Sequence, residues 1–197
     1  MRIAVIGSGR VGSTLGRIWT AAGHEVVLGS RDPTSTAAIA TAHDGGMELA
    51  TQTAAVDGSD VLLLAVPSDT AVDTVRSLGP LAGHVIVDAT NDFRDLSSSN
   101  AETIQRAAPG AMVVKAFNVV GVEAMERAAE GGTRATLPLA GNDERAVGVA
   151  SQLARDAGFA PLHVGGLAQA ASLERLASVW IDWSRTLGRR FLWQVDV

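Results

Sequence analysis

The sequence predicts an α/β fold: a doubly wound, mostly parallel sheet with helices on both faces and a C-terminal helical segment. Three observations predict it. Strand-length apolar runs rich in β-branched residues alternate with amphipathic helical stretches along the chain. A glycine-rich turn, GSGRVG at 7–12, follows the first of these runs and opens the first helix. No repeat, low-complexity tract or clear linker interrupts the 197 residues, so one domain spanning 1–197 is expected, with a helical tail from about 168 onward.

The elements justify this in order. RIAVI (2–6) reads as a buried strand. VGSTLGRIWTAAG (11–23) carries a helical stripe of Val11, Leu15, Ile18 and Trp19, and Gly23 stops it. Strand 25–28, a short helix over 34–42 and a short strand at 47–50 follow. VLLLAV (61–66) is the fourth strand, closed by Pro67; a helix over 69–78 leads to HVIVDA (84–89). A helix near 100–107 precedes AMVVKAF (111–117), the sixth strand. The second half gives a helix at 122–130, a strand at 136–141, a helix at 144–158 and a strand at 160–165. The tail helix, 172–187, places Leu173, Leu176, Val179, Trp180 and Trp183 on one stripe. A lone domain would expose part of that face, so a homodimer is expected to bury it.

Composition excludes several function classes. With no cysteine there are no disulfides, thiolate nucleophiles or Cys-ligated zinc. A net charge of −5 without a basic block argues against nucleic acid. Met1-Arg2 runs straight into an apolar strand, and no apolar run approaches the roughly 20 residues of a membrane span. A cytoplasmic protein with no membrane partner is expected. The absence of tyrosine rules out Tyr-Lys proton relays, and Lys115 is the single lysine beside fifteen arginines.

GSGRVG in a strand–turn–helix setting is a dinucleotide fingerprint. Gly7 permits the tight turn, Gly9 lets a pyrophosphate approach the backbone, and Gly12 and Gly16 let the helix pack close. Free N–H groups at the helix start face the phosphates. An NAD-preferring unit ends its second strand in a carboxylate that accepts from the ribose diol. Here the slot holds Ser30 and Arg31. A guanidinium gives paired charge-assisted bonds to a 2′-phosphate, and Ser30, Thr34, Ser35 and Thr36 add hydroxyls, so NADP(H) is expected. The alternative is an Arg31 paired with Asp32 in solvent.

GSGRVG with GSR, VPSDTA after the fourth strand, KAFN after the sixth, and LPLAGND followed by PLHVGGLAQAASLE together resemble the NADPH-dependent reductases of the deazaflavin coenzyme F-420. They also resemble the cytoplasmic NADPH-binding domain of six-transmembrane metalloreductases. The similarity runs from Arg2 to about Trp183. It implies a Rossmann-like domain, often dimeric, with NADP on the turn Gly7-Ser8-Gly9-Arg10-Val11-Gly12 and on Ser30, Arg31 and Ser35. It places Ala65, Val66 and Pro67 beside the nicotinamide ribose, Ala89 and Thr90 near the ring, and a flavin-like partner ring near Asn118 and Val119. The chain departs from the family pattern at Ser35, Asn118 and Ala171, where the F-420 reductases carry a basic residue, a histidine and an arginine.

Hydride transfer between stacked rings needs no side-chain acid, whereas carbonyl or imine reduction needs a proton donor. His24 and His84 fall at the amino edge of the sheet and His43 in a loop; His163, at the end of the last strand, is the one histidine with access. Lys115 ends a strand at the carboxyl edge, where it can bond a flavin-like or acidic ligand or anchor Asp88 or Asp92. Lys115 and Asn118 are the residues the pattern leaves for a catalytic role; no metal cluster is visible. The leading reading is an NADP(H)-dependent oxidoreductase moving hydride to or from coenzyme F-420, FMN or FAD. An imine or carbonyl reductase, and an NADP-binding sensor or subunit, are the alternatives.

Overall fold

The strands are apolar on both faces because both faces of the sheet are covered. In the computed structural model, which describes residues 1–95, 97–131 and 135–196, Ile3 and Val5 of β1 (Arg2–Ile6) enter one core and Ala4 and Ile6 the other. The same alternation runs through β2 (Glu25–Ser30), β4 (Val61–Leu64) and β5 (Val85–Asp88). The remaining strands are β3 (Glu48–Thr51), β6 (Met112–Lys115), β7 (Thr136–Gly141) and β8 (Ala160–His163).

The eight strands form one sheet in the order β3-β2-β1-β4-β5-β6-β7-β8. β1 to β6 are parallel, Ile6 pairing with Gly29 on one side and Leu64 on the other. β7 reverses: Val114 faces Gly141 and Lys115 faces Ala140 in an antiparallel pair. β8 runs parallel to β7. One core lies under α1 (Arg10–Ala21), α6 (Val122–Ala129), α7 (Glu144–Asp156) and α8 (Ala170–Leu187). The other lies under α3 (Gln52–Val56), α4 (Ala71–Ser77) and α5 (Asn100–Ala107). The helix α2 (Thr36–Gly45) is capped at Ser35, whose side chain accepts from the Ala38 N–H, and ends on left-handed Gly46.

One element is additional to those expected, and one expectation needs correction. The short helix α3 carries too few residues to show a helical period, and it crosses β2 so closely that a Cβ on Gly29 would lie 3.1 Å from Gln52 and 3.2 Å from Ala55. The stripe expected on α8 also divides. Its inward face is Leu173, Ala177, Trp180 and Ser184, while Val179 and Trp183 face outward. Spacing alone cannot place a core contact within a wide apolar arc.

Candidate functional site

Strand order reverses between β1 and β4, so the loops leaving their carboxyl ends diverge and open a crevice. The cleft there has a volume of about 440 Å³. Its floor is Gly7, Ser8 and Gly9; Gly29, Ser30, Arg31, Asp32 and Ser35 form one wall, and Ala65, Val66 and Pro67 the other.

The turn takes this shape for steric reasons. Gly7 has φ +118°, and a Cβ on it would lie 2.4 Å from the Ala65 carbonyl oxygen. A Cβ on Gly12 would lie 2.0 Å from the Gly7 carbonyl oxygen. Above Gly9 there is open space, with nothing within 4 Å of a built Cβ. Gly9 caps α1 without a side chain, and the first turn of α1 carries no acid, so its N–H groups and positive dipole end are left for an anion. A pyrophosphate fits this cradle.

The ribose end is equally specific. Asp32 does not pair with Arg31. Its Oδ1 accepts the Thr34 hydroxyl (2.6 Å) and the Thr34 N–H (3.0 Å), and these bonds hold its carboxyl below the usual range. Arg31 is exposed at the cleft wall and makes no hydrogen bond or ion pair among the described residues. The Ser30 Oγ accepts only the Asp32 N–H (3.1 Å), so its proton is uncommitted among the described residues. Ser35 lines the cleft, but its hydroxyl donates to the Asp32 carbonyl (2.9 Å) and accepts from the Ala38 N–H (3.3 Å).

Other expected site residues stand further back. Arg10 turns out of the cleft to Glu123 Oε1 (2.7 Å). Val11 and Gly12 enter the site only through the helix start. Ala89 and Thr90 follow β5 at the same edge but do not line the cleft, and the Thr90 hydroxyl is spent on Asp88 Oδ1 (2.7 Å) and Asn100 Nδ2 (2.8 Å). Asn118 locks to Asn91 through two bonds of 2.9 and 3.0 Å. It follows Phe117, a buried residue at φ +62° whose ring is packed edge-on against Trp19 and Phe159. That packing holds a left-handed turn that a bulky side chain otherwise avoids.

Lys115 takes the second of its two readings. It is wholly buried, bonded to Asp88 Oδ2 (2.9 Å), Glu174 Oε1 (2.6 Å) and the Thr90 carbonyl, and turned away from the cleft. Asp92 instead takes a two-bond grip from Arg94 (2.9 and 2.8 Å), which holds its carboxyl down at about 2. His163 bonds the Gly141 carbonyl (3.1 Å) on β8, with β4, β5, β6 and β7 between it and β1. The reversal of β7 and β8 points that strand away from the cleft. Among the described residues no group of three or more His, Cys, Asp or Glu could hold a metal ion, and no helix is long and apolar enough to cross a membrane. Sequence reading missed Gln52, Thr70 and Thr74 as lining residues. Gln52 belongs to the short α3, and the two threonines lie in and after a 3-10 turn (Ser68–Thr70) that periodicity does not separate from α4.

The chain matches the family of NADP oxidoreductases, coenzyme F-420-dependent, over residues 2–92. It is 31% identical to the F-420-dependent NADP reductase of Methanothermobacter thermautotrophicus, an alignment covering 92% of this chain and 88% of that protein. It is 31% identical over 179 residues to the metalloreductase STEAP3 of Rattus norvegicus, covering 89% of this chain but spanning only 36% of that relative's length. A solved structure from Arthrobacter sp. FB24, provisionally described as an F-420-dependent NADP reductase, superposes over the whole of both chains with a TM-score of 0.88 at 27% identity. The chain belongs to the coenzyme F-420-dependent family of NADP oxidoreductases.

Proposed function

We propose that the protein transfers hydride between NADP(H) held in the β1–β4 cleft and a deazaflavin acceptor, coenzyme F-420, with FMN or FAD as the flavin variants of that acceptor. The observation that carries the reading is Arg31: a guanidinium without a partner among the described residues, beside Ser30 at the cleft wall where an NAD-specific site carries an acid. In this reading Gly7, Ser8 and Gly9 and the N–H groups of Arg10, Val11 and Gly12 hold the pyrophosphate. Ser30 and Arg31 hold the 2′-phosphate, with Ser35 fixing the loop that presents them. Ala65, Val66 and Pro67 flank the nicotinamide ribose, Ala89 and Thr90 lie behind the ring, and the flavin-like acceptor lies near Asn118 and Val119.

NADPH supplies the hydride when bound. The residues of the chain orient it, and no side-chain proton donor is needed for transfer to a flavin-like ring. An imine or carbonyl reductase would need such a donor, and Lys115 and His163, its two candidates, both lie off the cleft.

The test is an absorbance assay of NADPH against coenzyme F-420, FMN and FAD, with a cyclic imine as control. Turnover of F-420 or a flavin is expected. Turnover of the imine alone, or of none, overturns the reading.

A further inference from the structure

The loops after β4 and β5 are joined to the end of β6 and to α8 beneath the surface by a continuous polar chain. Lys115, Asp88 and Glu174 lie at its centre, each 0% exposed. Lys115 Nζ donates to Asp88 and Glu174 and to the Thr90 carbonyl. Asp88 Oδ1 accepts the N–H (2.9 Å) and hydroxyl (2.7 Å) of Thr90. Asn100 donates from Nδ2 to Thr90 Oγ1 (2.8 Å) and Ser68 Oγ (3.2 Å). Glu174 Oε1 accepts the Asn100 N–H and Oε2 the Asp92 N–H, both at 2.9 Å. Glu174 belongs to α8, so the C-terminal helix grips both ends of the segment between Asp92 and Asn100.

Ionised groups buried this completely carry a desolvation cost that apolar residues of equal volume would avoid. What they supply is geometry. Each carboxylate oxygen has a fixed donor, and the chain ends at Ser68, in the 3-10 turn between the cleft residues Pro67 and Thr70. Ser68 itself does not line the cleft.

We infer that Lys115, Glu174 and Asn100 are positioning residues for the nicotinamide half of the site. They set the loops 65–70 and 89–92 over the ends of β4 and β5, and so discriminate the whole dinucleotide from its adenosine half. The inference rests on the NADP(H) reading above.

Calorimetric titration of the full chain with NADPH and with 2′,5′-ADP, which carries the adenosine with its 2′- and 5′-phosphates but no nicotinamide half, tests it. Asn100→Ala and Glu174→Gln are expected to weaken NADPH about tenfold, the loss of one or two well-made hydrogen bonds. Their affinity for 2′,5′-ADP should stay within about twofold of wild type, a split that general loosening of the fold would not produce. Ser68→Ala removes the hydroxyl link at the outer end, leaving only the longer 3.4 Å bond from Asn100 Nδ2 to the Ser68 carbonyl, and disturbs no buried charge, so it carries the test where the buried variants do not fold; an NADPH-specific loss of about threefold is expected. Equal weakening of both ligands, or of neither, overturns the inference. A wild type that binds neither ligand overturns the NADP(H) reading instead.

Discussion

In the proposed reading, cofactor choice turns on Arg31. Its guanidinium has no partner among the described residues, and Asp32 is occupied by Thr34, so the neighbouring acid does not neutralise it. Arg31→Ala should weaken NADPH binding by about 2–4 kcal/mol and leave NADH binding nearly unchanged, because only the 2′-phosphate loses its charged bonds. Titration calorimetry with both cofactors checks this, and equal losses would assign Arg31 to loop support. Gly9 and Gly7 differ in kind. A side chain on Gly9 meets only open cleft, so Gly9→Val should melt near the wild-type apo temperature and gain no stability from NADPH. A side chain on Gly7 meets the Ala65 carbonyl and a left-handed φ, so Gly7→Ala should destabilise the fold itself. Thermal melts with and without NADPH separate the two.

At the scale of elements, ion pairs join parts distant in sequence. Glu123, in the first turn of α6, holds Arg10 of α1 (2.7 Å) and Arg189 of the segment after α8 (3.0 Å). Burial pushes the Glu123 carboxyl up, but the bonds from Arg10 and Arg189 outweigh it and hold the group down at about 2. A carboxylate with a lowered folded pKa contributes stability that is complete above its unfolded value of 4.5 and is lost as the pH falls toward about 2. Glu123→Gln should therefore flatten the decline in melting temperature between pH 4.5 and 2. A decline as steep as that of wild type would place the acid sensitivity elsewhere, with Asp92 the next group to test. Lys115 is the stronger case. Lys115→Met leaves Asp88 and Glu174 buried without their cation, at a cost of about 3–5 kcal/mol. For a domain of this size that is a fall of about 10 °C in melting temperature.

For the whole molecule, one sheet links a cofactor half, β1 to β6, to a reversed pair, β7 and β8, on which α8 packs. One outward face of α8 carries Val179, Trp183 and Leu187, with Trp183 52% exposed. A homodimer through this face remains our expectation, with Trp183 near its centre. Trp183→Glu should shift sedimentation from dimer to monomer at micromolar concentration while the melting temperature of the dilute protein changes little. A wild-type monomer under the same conditions overturns it.

Much was legible in the sequence because its signals are local. The alternation of strands and helices, the strand–turn–helix glycine motif and the residues after β2 depend on near neighbours and backbone sterics, whereas α3 is too short to show a period. The sequence alone determined a doubly wound sheet, a dinucleotide turn and an arginine in place of an acid at the end of β2. Only the tertiary structure decided the rest. The reversal of β7 and β8 rests on pairing between residues 114 and 141. The inward face of α8 was chosen by what packs beneath it. Lys115 was seen in the sequence as a lysine at the right edge, but its role was fixed by Glu174, 59 residues further along the chain. A charge takes its function from the partners that share its burial, and those are set by how the chain folds back on itself.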